Sequence, residues 1–203
     1  MFKPALIALF LLAAVQPAFA QDDKKATTVE VKPQKTPVSE WMDAENKLID
    51  TLNRTGKQSF FIMRNKHGVI RSVRVVERDV GSAVKACGKE NPDMKKDMDA
   101  RFKQWKNGVD PILKDAEKYL QKEIDEQQLV YPSDFRHVLK MNDKAFDYTE
   151  KQVVKEVVTS KEACARLLAS MDSTENRLIE LLQDILIPEN VIRERTKDID
   201  GEE

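Results

Sequence analysis

The chain has few residues of the kinds that build turns. Only six Gly and eight Pro occur in 203 residues, which argues against a turn-rich all-β fold. The aromatic share is low, at 6%, and the charged share is 34%, a composition typical of helical proteins with well-solvated surfaces. The 34 basic and 35 acidic side chains nearly cancel, which excludes a chain-wide polycation for nucleic acid and a long acidic disordered chain.

Motifs for catalysis and for cofactor binding are also lacking. The two histidines, His67 and His137, stand alone, and no C-x-x-C-H haem motif or E-x-x-H di-iron motif occurs. There is no Walker loop, no G-x-G-x-x-G and no G-x-S-x-G. We therefore expect a protein that is not an enzyme, uses no cofactor and does not bind nucleic acid.

The first twenty residues have the pattern of a secretory signal peptide. Lys3 precedes an unbroken apolar run, residues 5–15, and the small residues Ala18 and Ala20 precede a cleavage point at Gln21. The apolar run is shorter than the ~20 residues that a membrane-spanning helix needs. The sequence predicts that residues 1–20 are removed after Ala20, that the mature protein is periplasmic or secreted, and that it has no transmembrane segment.

The mature chain divides into three parts. Residues 21–38 are polar and contain two prolines, so they predict a disordered leader. Residues 39–187 carry apolar residues at helical spacing and predict the folded domain. Residues 188–203 are mostly charged and predict a flexible tail.

The main ambiguity in the folded part is residues 58–76, which are rich in β-formers. A hairpin with its turn at residues 65–68 is the alternative. A heptad spacing of four and three residues favours a helix instead, because it persists much longer than any strict alternation. The positions in this seam are Ile62, Lys66, Val69, Val73, Val76, Val80, Ala83 and Cys87.

Apolar stripes of the same kind predict the other helices, so we expect an all-α, antiparallel bundle of four to five helices. Heptads this regular could also close a homodimer. Pro111 interrupts one stripe without changing its phase, which favours a kink over a loop. Inward-facing positions in the other stripes include Trp41, Leu48, Met98, Trp105, Phe135, Phe146, Cys164, Met171, Leu181 and Ile185.

The two cysteines, Cys87 and Cys164, both fall at buried positions of their stripes. Export leads to an oxidising compartment, where paired thiols generally form a disulfide. A redox role would need a C-x-x-C motif, which is absent. The sequence therefore predicts a structural disulfide between two helices, with two free buried thiols as the alternative.

Two features could bind a ligand. The first is an arginine stripe on the seam helix, which suits an anionic envelope component or a protein partner, unless acids such as Glu117 or Glu123 of another helix neutralise it. The second is a set of thioether and imidazole groups, which suits copper, unless the methionines simply fill the core. The arginine stripe consists of Arg64, Arg71, Arg74 and Arg78, and the possible metal set of Met94, Met98, His137 and Met141.

Overall fold

In a computed structural model, the described residues, 35–157 and 159–199, form six α-helices and contain no strand. The predicted all-α bundle is confirmed, with one helix more than expected. The predicted signal peptide and nearly all of the leader lie outside the described residues. The helices are α1 (Pro37–Thr51), α2 (Arg54–Glu90), α3 (Lys95–Glu126), α4 (Pro132–Gln152), α5 (Lys161–Ile185) and α6 (Glu189–Ile199).

A reciprocal capping box begins α1. The Thr36 hydroxyl accepts from the Ser39 backbone N–H at 3.2 Å, and the Ser39 hydroxyl accepts from the Thr36 N–H at 2.9 Å. Pro37 follows the cap, where its missing N–H costs nothing. The first helix therefore begins two residues before Ser39, the first residue of the predicted domain.

The helix α2 runs without a break through residues 58–76, so the helical prediction is confirmed and the hairpin alternative is wrong. Asn53 begins the helix, with its side-chain oxygen accepting from the Gly56 N–H at 2.8 Å. Pro111 likewise lies inside the continuous helix α3, which confirms that it does not start a loop.

The core is built mainly by α2, α3 and α5, which pack closely on one another. Ion pairs from Arg74 to Glu117 and from Lys106 to Glu77 show that α2 and α3 are antiparallel. Each large side chain that is withdrawn from water here contributes about 1.5–3 kcal/mol before entropy is counted. The largest fully buried side chains include Phe60, Met63, Met98, Trp105, Leu113, Phe135, Met171 and Leu182.

The short helix α1 packs chiefly on α4, and this pair lies against the side of the other helices. The contacts of α4 with α2 and α3 are much lighter than its contacts with α1. Asp143 of α4 reaches α2 through His67 and Arg71, each at 2.9 Å. The boundary between the α1/α4 pair and the rest of the bundle is therefore partly polar.

A disulfide joins the C-terminal part of α2 to the first turn of α5, which confirms the predicted pair. The sulfurs of Cys87 and Cys164 are 2.01 Å apart and their Cα atoms are 5.8 Å apart. Both residues are buried.

Residues Glu189–Ile199 form helix α6 within the segment 188–203, where the sequence predicts a flexible tail, and residues 200–203 of that tail lie outside the described residues. The N-terminus of the helix is held by Glu123, whose Oε1 accepts from the Glu189 N–H at 2.5 Å. Arg193 donates to the Glu189 carboxylate at 2.8 Å, one helical turn away. Two of the charges that made this segment look solvated, Glu189 and Arg193, instead pair with each other, while Glu194 and Arg195 are exposed.

Candidate ligand-binding groove

The arginine stripe is neutralised by acids from three other helices and from α2 itself. Arg71 donates to Asp143 at 2.9 Å and to Asp147 at 2.6 Å, so it ties α2 to α4. An external anion would have to compete with these carboxylates. The cross-helix pairs are Arg64–Glu45, Arg71–Asp143, Arg71–Asp147, Arg74–Glu117 and Arg78–Glu150.

These pairs shift the pKa of several carboxylates. The hydrogen bond from Arg78, and then that from Lys155, lowers the pKa of Glu150 to about 2. Burial favours a higher pKa for Asp143, but the hydrogen bond and charge of His67 and the charge of Arg71 bring it below the usual value. Arg71 and Arg78 of the stripe therefore each face a carboxylate whose lowered pKa keeps it ionised at neutral pH.

The possible metal ligands are not brought together. Met98 is fully buried in the first turn of α3, whereas His137 is exposed near the start of α4. Because α4 begins where α3 ends and runs back along it, the two pairs of residues lie roughly 30 Å apart along the bundle. Among residues 35–157 and 159–199, no group of three or more His, Cys, Asp or Glu is placed to hold a metal ion.

A groove opens where the α1/α4 pair meets α2 and α5. Its volume is about 430 Å³, within the range of sites that hold small molecules. We call it the Trp41 groove. It is lined by Trp41, Arg64, Asn65, Gly68, Val69, Ser72, Asn142, Phe146 and Leu181.

The apolar lining of the Trp41 groove consists of residues that the sequence assigns to the core. Phe146 is 49% exposed and Leu181 is 41% exposed, although both occupy inward-facing positions of their stripes. Trp41 and Val69 are only partly buried and pack against the edge of the core. The groove is therefore an unfilled part of the helix interface, not an ordinary polar surface.

Gly68 forms an open part of the groove wall. A Cβ atom added at Gly68 would have no neighbour within 4 Å. The four other glycines in the described segments are each approached by a neighbour at 3.3 Å or less, as at Gly81, where the Phe102 ring lies 3.0 Å from the added atom. A Cβ atom would thus meet a close neighbour at those four positions but not at Gly68.

Arg64 is the only charged residue of segments 35–157 and 159–199 that lines the groove. Its Nη1 donates to Glu45 of α1, a carboxylate that is 8% exposed, and its guanidinium lies 5.6 Å from the centre of the Phe61 ring. A guanidinium has five N–H donors, and no second acceptor within the described residues is bonded to this one. Arg64 is thus fixed in place yet able to meet another acceptor.

Sequence reasoning identified Arg64 but missed the groove around it. Gly68 was the available signal, because glycine inside a helix costs up to about 1 kcal/mol relative to alanine and so calls for a reason. Asn142 gave no signal, since a buried amide in α4 cannot be distinguished from an exposed one by spacing alone.

No family model, curated protein or solved structure matches this chain. In the described part of the chain, no helix combines the length and the apolar character of a membrane span.

Proposed function

We propose that this chain is an exported, non-enzymatic binding protein that holds a small molecule with an apolar body in the Trp41 groove. The observation that carries the proposal is the open wall at Gly68, beside apolar side chains that the helical pattern directs inward. Export is supported by the signal-like N-terminus and by the Cys87–Cys164 disulfide, since disulfides persist in oxidising compartments.

The lining of the groove suits retention of a ligand better than chemistry. Trp41, Val69, Phe146 and Leu181 supply apolar surface, and the remaining residues are a few amide, hydroxyl and guanidinium groups. Sites for small molecules typically combine such walls with a small number of placed polar groups. The described residues supply no carboxylate, imidazole or thiol to the lining that could act as a general base or nucleophile.

The proposal is tested with N-phenyl-1-naphthylamine, an uncharged apolar dye whose emission rises in apolar sites. We expect saturable binding of one dye per chain, with energy transfer from Trp41 that the Trp41→Phe variant loses. Gly68→Leu should weaken binding at least about tenfold, because the new side chain occupies the open space beside the wall.

Ser82→Leu is the matched control, since it adds the same side chain to an exposed position of α2 outside the groove lining. This variant should bind the dye as the unmodified protein does. Circular dichroism would verify that both leucine variants remain helical. Absence of saturable binding, or equal binding by the Gly68→Leu and Ser82→Leu proteins, would overturn the proposed function.

A further inference from the structure

The chemistry of the ligand's polar end follows from the single charge in the Trp41 groove. Arg64 brings a cation to the lining, and no acid from the described part of the chain lines the groove beside it. An ammonium head group has no acceptor to offer the guanidinium, and an uncharged hydroxyl would accept only a weaker hydrogen bond from it. A carboxylate matches both the charge and the planar, two-donor edge of the guanidinium.

The position of Arg64 defines how such a ligand lies. Gly68 and Ser72 follow Arg64 by one and two helical turns on the same side of α2, so this wall is about 12 Å long. A head group at Arg64 would place the body over the open space at Gly68. From there the body would run between Val69 and Phe146, which are apolar.

Glu45 orients Arg64 for binding a carboxylate and also weakens that binding. Glu45 is almost completely buried and accepts from Nη1 of Arg64, so it orients the guanidinium without lining the groove. Its negative charge also opposes a second carboxylate at the same guanidinium. Removing that charge while keeping the shape of the side chain should therefore strengthen the binding of an anionic ligand.

We propose that the Trp41 groove takes a free monocarboxylic acid with a medium-length acyl body, and that Arg64 holds its carboxylate. This inference rests on the proposed function, because it names the ligand class of the same groove. It differs from the arginine-stripe prediction in assigning anion binding to Arg64 alone, inside a groove that also supplies apolar contact.

The test compares three ligands that share one chain and differ only in the head group: decanoate, decanol and decylamine. Each competes with N-phenyl-1-naphthylamine for the full mature chain at low salt and below the concentration at which the ligand forms micelles. We expect decanoate to bind at least about tenfold more tightly than decanol, since hydrogen bonds to a charged partner are the strong ones. Decylamine should bind most weakly, and added salt should reduce only the preference for decanoate.

Two variants distinguish the contact between Arg64 and the ligand's head group from the ion pair between Arg64 and Glu45. Glu45→Gln should bind decanoate several-fold more tightly than the unmodified protein and leave decanol unchanged. The double variant with Glu45→Gln and Arg64→Gln should lose the preference for decanoate and still bind decanol. The double change avoids leaving the buried Glu45 carboxylate without a partner.

The possible results distinguish this inference from the proposed function. If decanol and decanoate bind equally well and Gly68→Leu blocks both, the groove binds ligands but the carboxylate assignment is wrong. If the double variant keeps the preference for decanoate, Arg64 does not hold the head group and the inference is also overturned. If the dye itself does not bind, there is nothing for the three ligands to displace, and the proposed function fails.

Discussion

Lys66 of α2 and Glu123 of α3 form an ion pair inside the bundle, with 2.6 Å between Nζ and Oε2. Lys66 is only 4% exposed, and its ammonium group also donates to the Ile187 carbonyl at 2.6 Å. Glu123 uses its other oxygen to accept from the Glu189 N–H at the start of α6. One ion pair therefore fastens the end of α5 and the beginning of α6 to the two longest helices. The positive charge of Lys66 lies at the C-terminal end of α5 and the negative charge of Glu123 at the N-terminal end of α6, and each is the charge that the helix dipole favours there.

Replacing Lys66 with methionine should lower the free energy of unfolding by about 3 kcal/mol, because the Glu123 side chain, which is 11% exposed, would lose its cation and keep the Glu189 N–H as a partner. Urea unfolding followed by circular dichroism measures the change. Adding Glu123→Gln to this variant should restore part of the stability, since glutamine is neutral and can still accept from Glu189. A loss below about 1 kcal/mol in the single variant would show that water reaches the pair.

The disulfide should contribute to the free energy of unfolding about as much as the Lys66–Glu123 pair does. Cys87 and Cys164 are separated by 77 positions, and closing a loop of that size stabilises a protein by about 4.5 kcal/mol in the chain-entropy model. The double variant with Cys87→Ala and Cys164→Ala should lose roughly this much in urea unfolding. Reduced unmodified protein is the control and should unfold at nearly the same urea concentration as the double variant. Equal stability of the oxidised protein and the double variant would contradict the expectation.

The heptad pattern of α2 predicted the helix correctly, but it identified only some of the residues that the helix buries. Lys66, Val73 and Cys87 are buried as expected, but Val76 is not. The helix carries a second apolar series one residue further along, and its members Met63, Ile70 and Val84 enter the core instead. Spacing cannot choose between two adjacent series, because the choice depends on where α3 and α5 dock.

The same limit explains why the groove was not predicted. Phe146 and Leu181 have the spacing of core residues, and only the position of the α1/α4 pair leaves them at the edge of a groove. The contact of the Glu189 N–H with Glu123 of α3 is likewise a consequence of docking, not of composition. Helical periodicity therefore predicts the elements and the disulfide, whereas the groove and α6 depend on contacts between segments far apart in sequence.

Two glycines in α2 should respond oppositely to alanine. Gly68→Ala adds a methyl group in open space and should raise the free energy of unfolding by about 0.5–1 kcal/mol, because alanine favours the helix. Gly81→Ala would bring its Cβ to 3.0 Å from the Phe102 ring, which stacks on the buried Trp105, and should be destabilising. Thermal unfolding of the two variants in one buffer measures the contrast. A lower melting temperature for Gly68→Ala would show that the groove wall is already filled.

Acid should protonate Glu150 and break its ion pair with Arg78 within a defined range of pH. The hydrogen bond from Arg78 lowers the pKa of Glu150 from 4.5 to about 2 in the folded chain. The stability that this carboxylate contributes is therefore present above pH 4.5 and is lost as the pH falls from 4.5 through about 2. A carbon-detected NMR titration of the Glu150 carboxyl should give a midpoint well below 4, and Arg78→Gln should move it upward. A midpoint near 4.5 in the unmodified protein would mean that solvent and salt screen the pair completely.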